Sequence, residues 1–85
     1  MKAYQLKVIT PQGLAYSAEV LHTLLSAEDG FVGILADHAP YITSSSGGRL
    51  VVREAGGNEK TFETGTGFFE VAKNEAVFLT QSLNE

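Results

Sequence analysis

Few residues of this chain could perform acid–base or nucleophilic chemistry, and the most prominent are Asp37 and His38, in the stretch GFVGILADHAPYIT (residues 30–43). A histidine can act as a general base near neutral pH, and a serine run at residues 44–46 offers nucleophiles. Adjacent residues usually point apart, however, and the serines lack the G-x-S-x-G motif of a nucleophile elbow. We therefore predict no catalytic residue and interpret His38 as a partner contact, with a small hydrolase built from His38 and these serines as the enzymatic alternative.

Metal and cofactor sites are not predicted either. The chain has no cysteine, which excludes a thiolate site, and only two histidines. His22 lies in a leucine-rich segment and is interpreted as a strand histidine at a sheet surface. The sequence GTG at residues 65–67 is followed by a strand-like FFEV instead of a helix with a Lys-Ser or Lys-Thr pair. It is therefore predicted to be a bend where two backbones approach closely, and not a phosphate loop.

The corner that carries His38 is made of residues that favour tight turns. Asp37 can accept a hydrogen bond from the backbone two residues on. Pro40 fixes its own φ and pushes Ala39 towards an extended conformation. The sequence therefore predicts a turn that exposes His38 at its apex, between a strand over residues 31–35 and another over residues 41–46.

Strand patterns extend along the rest of the chain. Tyr4, Leu6 and Val8 alternate with polar residues, as in a half-buried strand. Residues 15–26 predict two short strands or one bent strand, and residues 44–48 (SSSGG) predict a flexible loop. Turn signals recur every 8–12 residues, which is typical of an all-β sandwich or barrel. We predict one domain over residues 1–85, an all-β, small antiparallel β-sandwich of about eight to ten short strands.

The charge and hydropathy of the chain exclude several kinds of partner. The net charge is −4, and the six basic residues are scattered, so we predict no nucleic-acid partner. No apolar run approaches the roughly 18–20 residues that span a bilayer, and the N-terminus lacks the apolar core of a signal peptide. We therefore expect no direct membrane insertion, so that any membrane location would depend on another protein.

Three segments together carry a family resemblance: VITPQGLAYSAEV (residues 8–20), residues 30–43, and TGTGFFEVAKNEAVFLT (residues 64–80). In this order they resemble the N-terminal domain of the epsilon subunit of F-type ATP synthases. That family's pattern runs roughly V-V-T-P, F-S-G-E-V, G-x-x-G-I-x-P-G-H-A-P, G-G-F-x-E-V and V-x-V-L. This chain departs from it in having Ala36-Asp37 instead of Pro-Gly, and Phe31 where an acidic or polar residue is frequent.

The resemblance implies a β-sandwich and a mechanical function. It implies a non-catalytic rotor subunit in the central stalk of a proton-translocating F-type ATP synthase, peripheral at the cytoplasmic face of the membrane. Such a subunit docks the gamma subunit onto the c-ring and couples rotation to ATP synthesis. Family members carry a helical hairpin after this domain that inhibits ATP hydrolysis. The 85 residues end where it would begin, so we expect coupling without inhibition through that hairpin.

The resemblance also implies two sets of contact residues. The gamma set, expected to contact the gamma subunit, comprises Thr10, His38, Ala39, Pro40, Tyr41, Ile42 and Thr43. The c-ring set, expected to contact the c-ring, comprises Glu28, Asp29, Gly30 and Phe31. The alternative function is a ligand-binding β-sandwich such as a carbohydrate-binding module, although the chain has no tryptophan to form a sugar platform.

Overall fold

The computed structural model describes residues 2–85, which form nine β-strands. The strands are β1 (Tyr4–Thr10), β2 (Gly13–Ala27), β3 (Gly30–Leu35), β4 (Tyr41–Ser45), β5 (Gly48–Glu54), β6 (Glu59–Thr64), β7 (Gly67–Ala72), β8 (Glu75–Thr80) and β9 (Leu83–Asn84). The predicted all-β fold and the predicted number of strands are confirmed.

Alternation of apolar and polar residues explains why these segments are strands. In β1, Tyr4, Leu6 and Val8 are buried while Lys7 is exposed, as successive side chains of a strand point to opposite faces. The same alternation buries Phe69 and Val71 of β7. The core is built from such inward-facing side chains. Its fully buried large apolar side chains are Phe69, Phe78, Leu6, Leu25, Ile34, Leu50, Val8, Val20, Val52 and Val71.

The longest strand, β2, joins the two layers of the sandwich. Its first half pairs with β1, and its second half pairs with β3 on one edge and β5 on the other. The register against β5 shifts between Val20 and His22, and such a bulge bends a strand. Val20 is buried before the shift and Thr23 and Leu25 after it. Residues 15–26 are therefore part of one strand, and the bulge keeps its buried side facing the core.

The strand order is β4-β7-β8-β1-β2-β5-β6-β9, with β3 on β2. All neighbours are antiparallel except β1 and β8, which pair in parallel from Gln5 opposite Glu75 to Ile9 opposite Leu79. One layer thus comprises β4, β7, β8, β1 and the first half of β2. The other comprises β3, the second half of β2, β5, β6 and β9.

One sequence-based expectation is wrong in detail. Residues 44–48 are not a flexible loop, since Ser44 and Ser45 belong to β4 and Gly48 begins β5. The Ser45 hydroxyl is buried, donates to the Ser26 carbonyl oxygen over 2.5 Å and accepts from the Gly47 amide over 3.2 Å. The last residues form a further strand, β9, which pairs with β6. Both segments are ordered by partners distant in sequence.

The two layers are linked by the hydroxyl of Tyr4. Its oxygen lies 2.7 Å from Thr23 Oγ1 and 2.9 Å from the Ile34 carbonyl oxygen. A carbonyl can only accept, so both contacts are satisfied when Tyr4 donates to Ile34 and accepts from Thr23. Burial raises the pKa of Tyr4, which keeps the hydroxyl protonated and able to donate. One side chain of β1 is thus bonded to both β2 and β3.

We predict that Tyr4→Phe destabilises the fold by about 1–3 kcal/mol, because it leaves two buried polar groups without their partner. Urea unfolding of the isolated chain measures this effect. Tyr41→Phe is the matched control, since among residues 2–85 the Tyr41 hydroxyl makes no hydrogen bond. Equal unfolding midpoints for the two variants would contradict the proposed role of the Tyr4 hydroxyl.

The predicted close approach at residues 65–67 is confirmed at Gly67, which lies opposite Thr80 of β8. A Cβ added to Gly67 would overlap the Leu79 carbonyl oxygen and lie 2.8 Å from the Thr80 Cα. We predict that Gly67→Ala lowers the free energy of unfolding by about 1–3 kcal/mol. Gly56→Ala is the control, because a Cβ there would meet nothing within 4 Å. A loss no larger than that of Gly56→Ala would show that β7 and β8 can separate at little cost.

Candidate functional site

The corner between β3 and β4 carries the first part of the gamma set. The His38 amide donates to the Leu35 carbonyl oxygen over 3.3 Å and closes a turn. Asp37 has φ 65°, a left-handed conformation that aspartate tolerates better than most residues. Asp37, Ala39 and Pro40 are exposed. The predicted turn is therefore present, and its tip faces solvent.

The predicted exposure of His38 is wrong, because its side chain is half-buried. The imidazole lies edge-on to the Tyr41 ring, with a distance of 5.7 Å between centroids. His38 Nδ1 lies 2.7 Å from the Ala39 carbonyl oxygen. Tyr41 in turn packs on the core. The imidazole therefore packs against the body of the domain, while the exposed Asp37, Ala39 and Pro40 form the tip of the corner.

The predicted role of the Asp37 side chain also differs from what the structure shows. Its Oδ1 accepts from Asn74 Nδ2 over 2.9 Å and from Lys2 Nζ over 3.0 Å, instead of from backbone two residues on. The Asn74 bond first, and Lys2 next, hold the pKa of the Asp37 carboxyl below its usual value. The carboxylate thus ties the corner to the turn between β7 and β8.

The serines do not assemble with His38. The Ser44 hydroxyl donates to the Glu28 carboxylate, and the Ser45 hydroxyl donates to the Ser26 carbonyl oxygen. These residues end β4, whereas His38 precedes its start at Tyr41. The residues of the proposed hydrolase therefore make separate hydrogen bonds at opposite ends of one strand.

The c-ring set forms the turn between β2 and β3. Glu28, Asp29 and Gly30 are exposed, and Gly30 has φ 124°, which glycine adopts readily. Phe31 follows with 67% of its surface exposed. The Glu28 amide also donates to the Ser44 carbonyl oxygen over 3.2 Å. The c-ring set is therefore bonded directly to β4, the strand that carries Tyr41, Ile42 and Thr43 of the gamma set.

His22 takes the predicted position on a sheet surface. It lies in β2 opposite Leu35 and is half-buried. Its Nε2 would lie 3.0 Å from a Cβ added to Gly33. The imidazole therefore occupies the space that a larger residue at position 33 would fill. Gly33 lies between the exposed Phe31 and Leu35 on the outer side of β3.

An apolar row on the outer face of the first layer was not predicted from the sequence. Directly opposed residues run across four strands in the order Phe68 of β7, Leu79 of β8, Ile9 of β1 and Leu14 of β2. Phe68 and Leu14 are each 60% exposed and Leu79 is 49% exposed. The adjacent pair Phe68-Phe69 could have indicated this row from the sequence. Only one of two neighbouring strand residues can face the core, so the other must lie on the outer face.

The apolar row borders a groove of about 440 Å³. The ends of four strands, β1, β4, β7 and β8, line it, and the lining residues include Ile9, Thr10, Ser44, Phe68 and Leu79. The groove therefore brings Thr10 of the gamma set next to the row and next to the end of β4. Ile42, 67% exposed, lies on the same face of β4 as Ser44, which is directly opposite Phe68.

Two further properties concern metals and membranes. Residues 2–85 contain no cluster of three or more His, Asp or Glu side chains able to hold a metal ion. Within the same residues, no helix is long and apolar enough to cross a membrane. The candidate site comprises three surface features: the apolar row with its groove, the corner at residues 37–40, and the turn of the c-ring set.

Solved structures support the fold. A chain of the Euglena gracilis mitochondrial ATP synthase (OSCP/F1/c-ring) superposes with a TM-score of 0.86 and 20% identity, over 92% of this chain and 50% of that chain. A chain from the Tetrahymena thermophila mitochondrial ATP synthase (central stalk/c-ring) superposes with a TM-score of 0.80 and 14% identity, over 95% of this chain and 65% of that chain. This chain thus spans half to two thirds of these structural relatives.

Relatives found by sequence share a higher identity with this chain than these solved structures do. The ATP synthase epsilon chain of Chlorobium limicola is 34% identical over 83 residues, which cover 98% of this chain and 94% of the relative. The epsilon chain of Bacillus pumilus is 34% identical over 82 residues, which cover 96% of this chain and 62% of the relative. The family model described as "ATP synthase, Delta/Epsilon chain, beta-sandwich domain" matches residues 3–85. The resemblance inferred from the motifs is confirmed: the chain belongs to the ATP synthase delta/epsilon family and comprises its β-sandwich domain.

Proposed function

We propose that this chain is a non-catalytic subunit of the central stalk of a proton-translocating ATP synthase, where it docks the gamma subunit onto the c-ring and couples rotation to ATP synthesis. The single observation that carries the proposal is the exposed apolar row with its groove. Family membership supports the assignment to the complex, and the solved relatives come from assemblies that contain a c-ring. We further propose that residues 1–85 act as one domain, peripheral at the cytoplasmic face.

The apolar row is proposed as the centre of the gamma contact. Folding alone does not require Phe68, Leu79 and Leu14 to be apolar, because about half or more of each side chain faces solvent. Exposed apolar patches on small proteins commonly mark interfaces, and aromatic residues are enriched at interface centres. The groove extends this surface to Thr10 and the end of β4. Ile42 and the corner at residues 37–40 would form its margin.

The c-ring contact is proposed at the turn between β2 and β3. Glu28 and Asp29 are exposed acidic residues within three positions of the exposed Phe31. This surface combines an apolar anchor with acidic groups, so it would suit a polar or basic loop on the ring. Its hydrogen bonds to Ser44 join it to β4. Force applied at the turn would thus pass through β4 to the gamma contact.

We predict that Phe68→Ala weakens binding to the cognate gamma subunit by about 2 kcal/mol, roughly 30-fold in dissociation constant, as expected for a central aromatic anchor. Isothermal titration calorimetry with purified gamma subunit measures the effect. Phe31→Ala is the matched control, because Phe31 has a similar exposure and also lies on a strand. Phe31→Ala should leave gamma affinity unchanged. Equal affinities for the two variants would remove the apolar row from the gamma contact.

The Phe31→Ala variant tests the c-ring contact. We predict that Phe31→Ala reduces ATP-driven proton pumping by reconstituted enzyme, because the coupling contact is weakened while gamma remains bound. Pumping is measured in vesicles containing the complete complex, with its ATP hydrolysis rate recorded in parallel. A variant that pumps as well as the wild type would overturn the assignment of Phe31. Binding of the wild-type chain to a sugar array, with none to gamma, would instead favour a carbohydrate-binding module.

A further inference from the structure

The corner at residues 37–40 is held by the side chain of Asn74, which belongs to a distant turn. The Asp37 amide donates to Asn74 Oδ1 over 2.6 Å, and Asn74 Nδ2 donates to Asp37 Oδ1 over 2.9 Å. The carboxamide of Asn74 therefore satisfies a donor and an acceptor of the same residue at once. An aspartate or an alanine at position 74 could not make both bonds.

Asn74 is itself fixed in place. Lys73 and Asn74 have φ angles of 52° and 61°, as in the two-residue type I′ turns that join antiparallel strands. The hairpin of β7 and β8 pairs over all six residues of each strand. The Gln5 amide also donates to the Asn74 carbonyl oxygen over 3.1 Å. The side chain of Asn74 thus extends from a point anchored to three strands.

The corner needs such support. Asp37 has φ 65°, a conformation that an L-residue other than glycine adopts at a cost. The turn itself contributes one long backbone hydrogen bond, from the His38 amide to the Leu35 carbonyl oxygen. The carboxylate of Asp37 and the ammonium group of Lys2 are both mostly exposed, and an exposed ion pair contributes little.

We propose that Asn74 is a positioning residue that fixes the corner at residues 37–40 in the conformation that contacts the gamma subunit. The effect on gamma binding rests on the proposed function, whereas the hydrogen bonds between Asn74 and Asp37 can be tested on the isolated chain. Within residues 2–85, the hydrogen bonds from Asn74 to the corner all involve Asp37, so Asn74 acts on the contact indirectly. Its effect is the pre-organisation of a docking surface, which lowers the conformational cost of binding.

The test compares two glycine substitutions in one turn. Asn74→Gly removes the carboxamide but suits the left-handed backbone, and Lys73→Gly suits the same turn while leaving the carboxamide in place. For Asn74→Gly we expect amide hydrogen exchange at Asp37 and His38 to accelerate about fivefold, the factor for one lost hydrogen bond. The pKa of the Asp37 carboxyl, followed by NMR, should rise towards its usual value. Lys73→Gly should change neither.

Binding then tests the consequence. We expect Asn74→Gly to weaken binding to the gamma subunit about fivefold in calorimetry, and Lys73→Gly to leave it unchanged. Adding Asp37→Gly to Asn74→Gly should recover part of the lost affinity, because glycine adopts φ 65° without a supporting side chain. Full affinity of Asn74→Gly would overturn the positioning role, and unchanged amide exchange would overturn the bonding on which it depends. If the wild-type chain did not bind gamma, the proposed function would fail, whereas amide exchange would still report on Asn74.

Discussion

The structure depends on one strand serving two layers. A chain of 85 residues buries a smaller share of its surface on folding than a longer domain does, so each strand must contribute to a single shared core. Strand β2 runs for 15 residues and supplies Val20 to the core before its bulge and Leu25 after it. The bulge changes which residues face inward without breaking the strand. The layers consequently need no separate connection at this point, and the Tyr4 hydroxyl bonds them across the bend.

This arrangement also determines where a partner can bind. The inner faces of both layers are filled, which leaves the outer faces and the turns at the strand ends. On the outer face of the first layer the sequence places apolar residues at four directly opposed positions, where polar residues would serve folding equally well. On the second layer, β5 and β6 carry the exposed Arg49, Arg53, Glu59 and Glu63, and the exposed apolar residues Phe31 and Leu35 lie on β3. The contrast between the four-strand apolar row and the charged strands β5 and β6 is the physical basis for assigning the row to a partner.

Sequence reasoning could predict what local patterns determine. Tyr4, Leu6 and Val8 show their alternation over five residues, and the Lys73-Asn74 turn follows from residue type. It could not determine that Ser45 is buried, because the acceptor of its hydroxyl is Ser26, 19 residues away. The half-burial of His38 depends on the position of the Tyr41 ring. The apolar row required the register of four strands, including the parallel pair β1 and β8, and no local pattern specifies that register.

The pairing of Asp37 with Asn74 shows how the conformation of one turn can depend on another. A glycine at position 37 would adopt the left-handed conformation without support. Aspartate at that position needs a partner that both donates and accepts. Asn74 meets this need from a turn that already requires left-handed residues, where asparagine is favoured. A single residue type therefore satisfies two constraints, one in the backbone of its own hairpin and one in the corner 37 residues away. The stiffness of the corner consequently follows from the stiffness of the β7–β8 hairpin, which is paired to β4 on one side and β1 on the other.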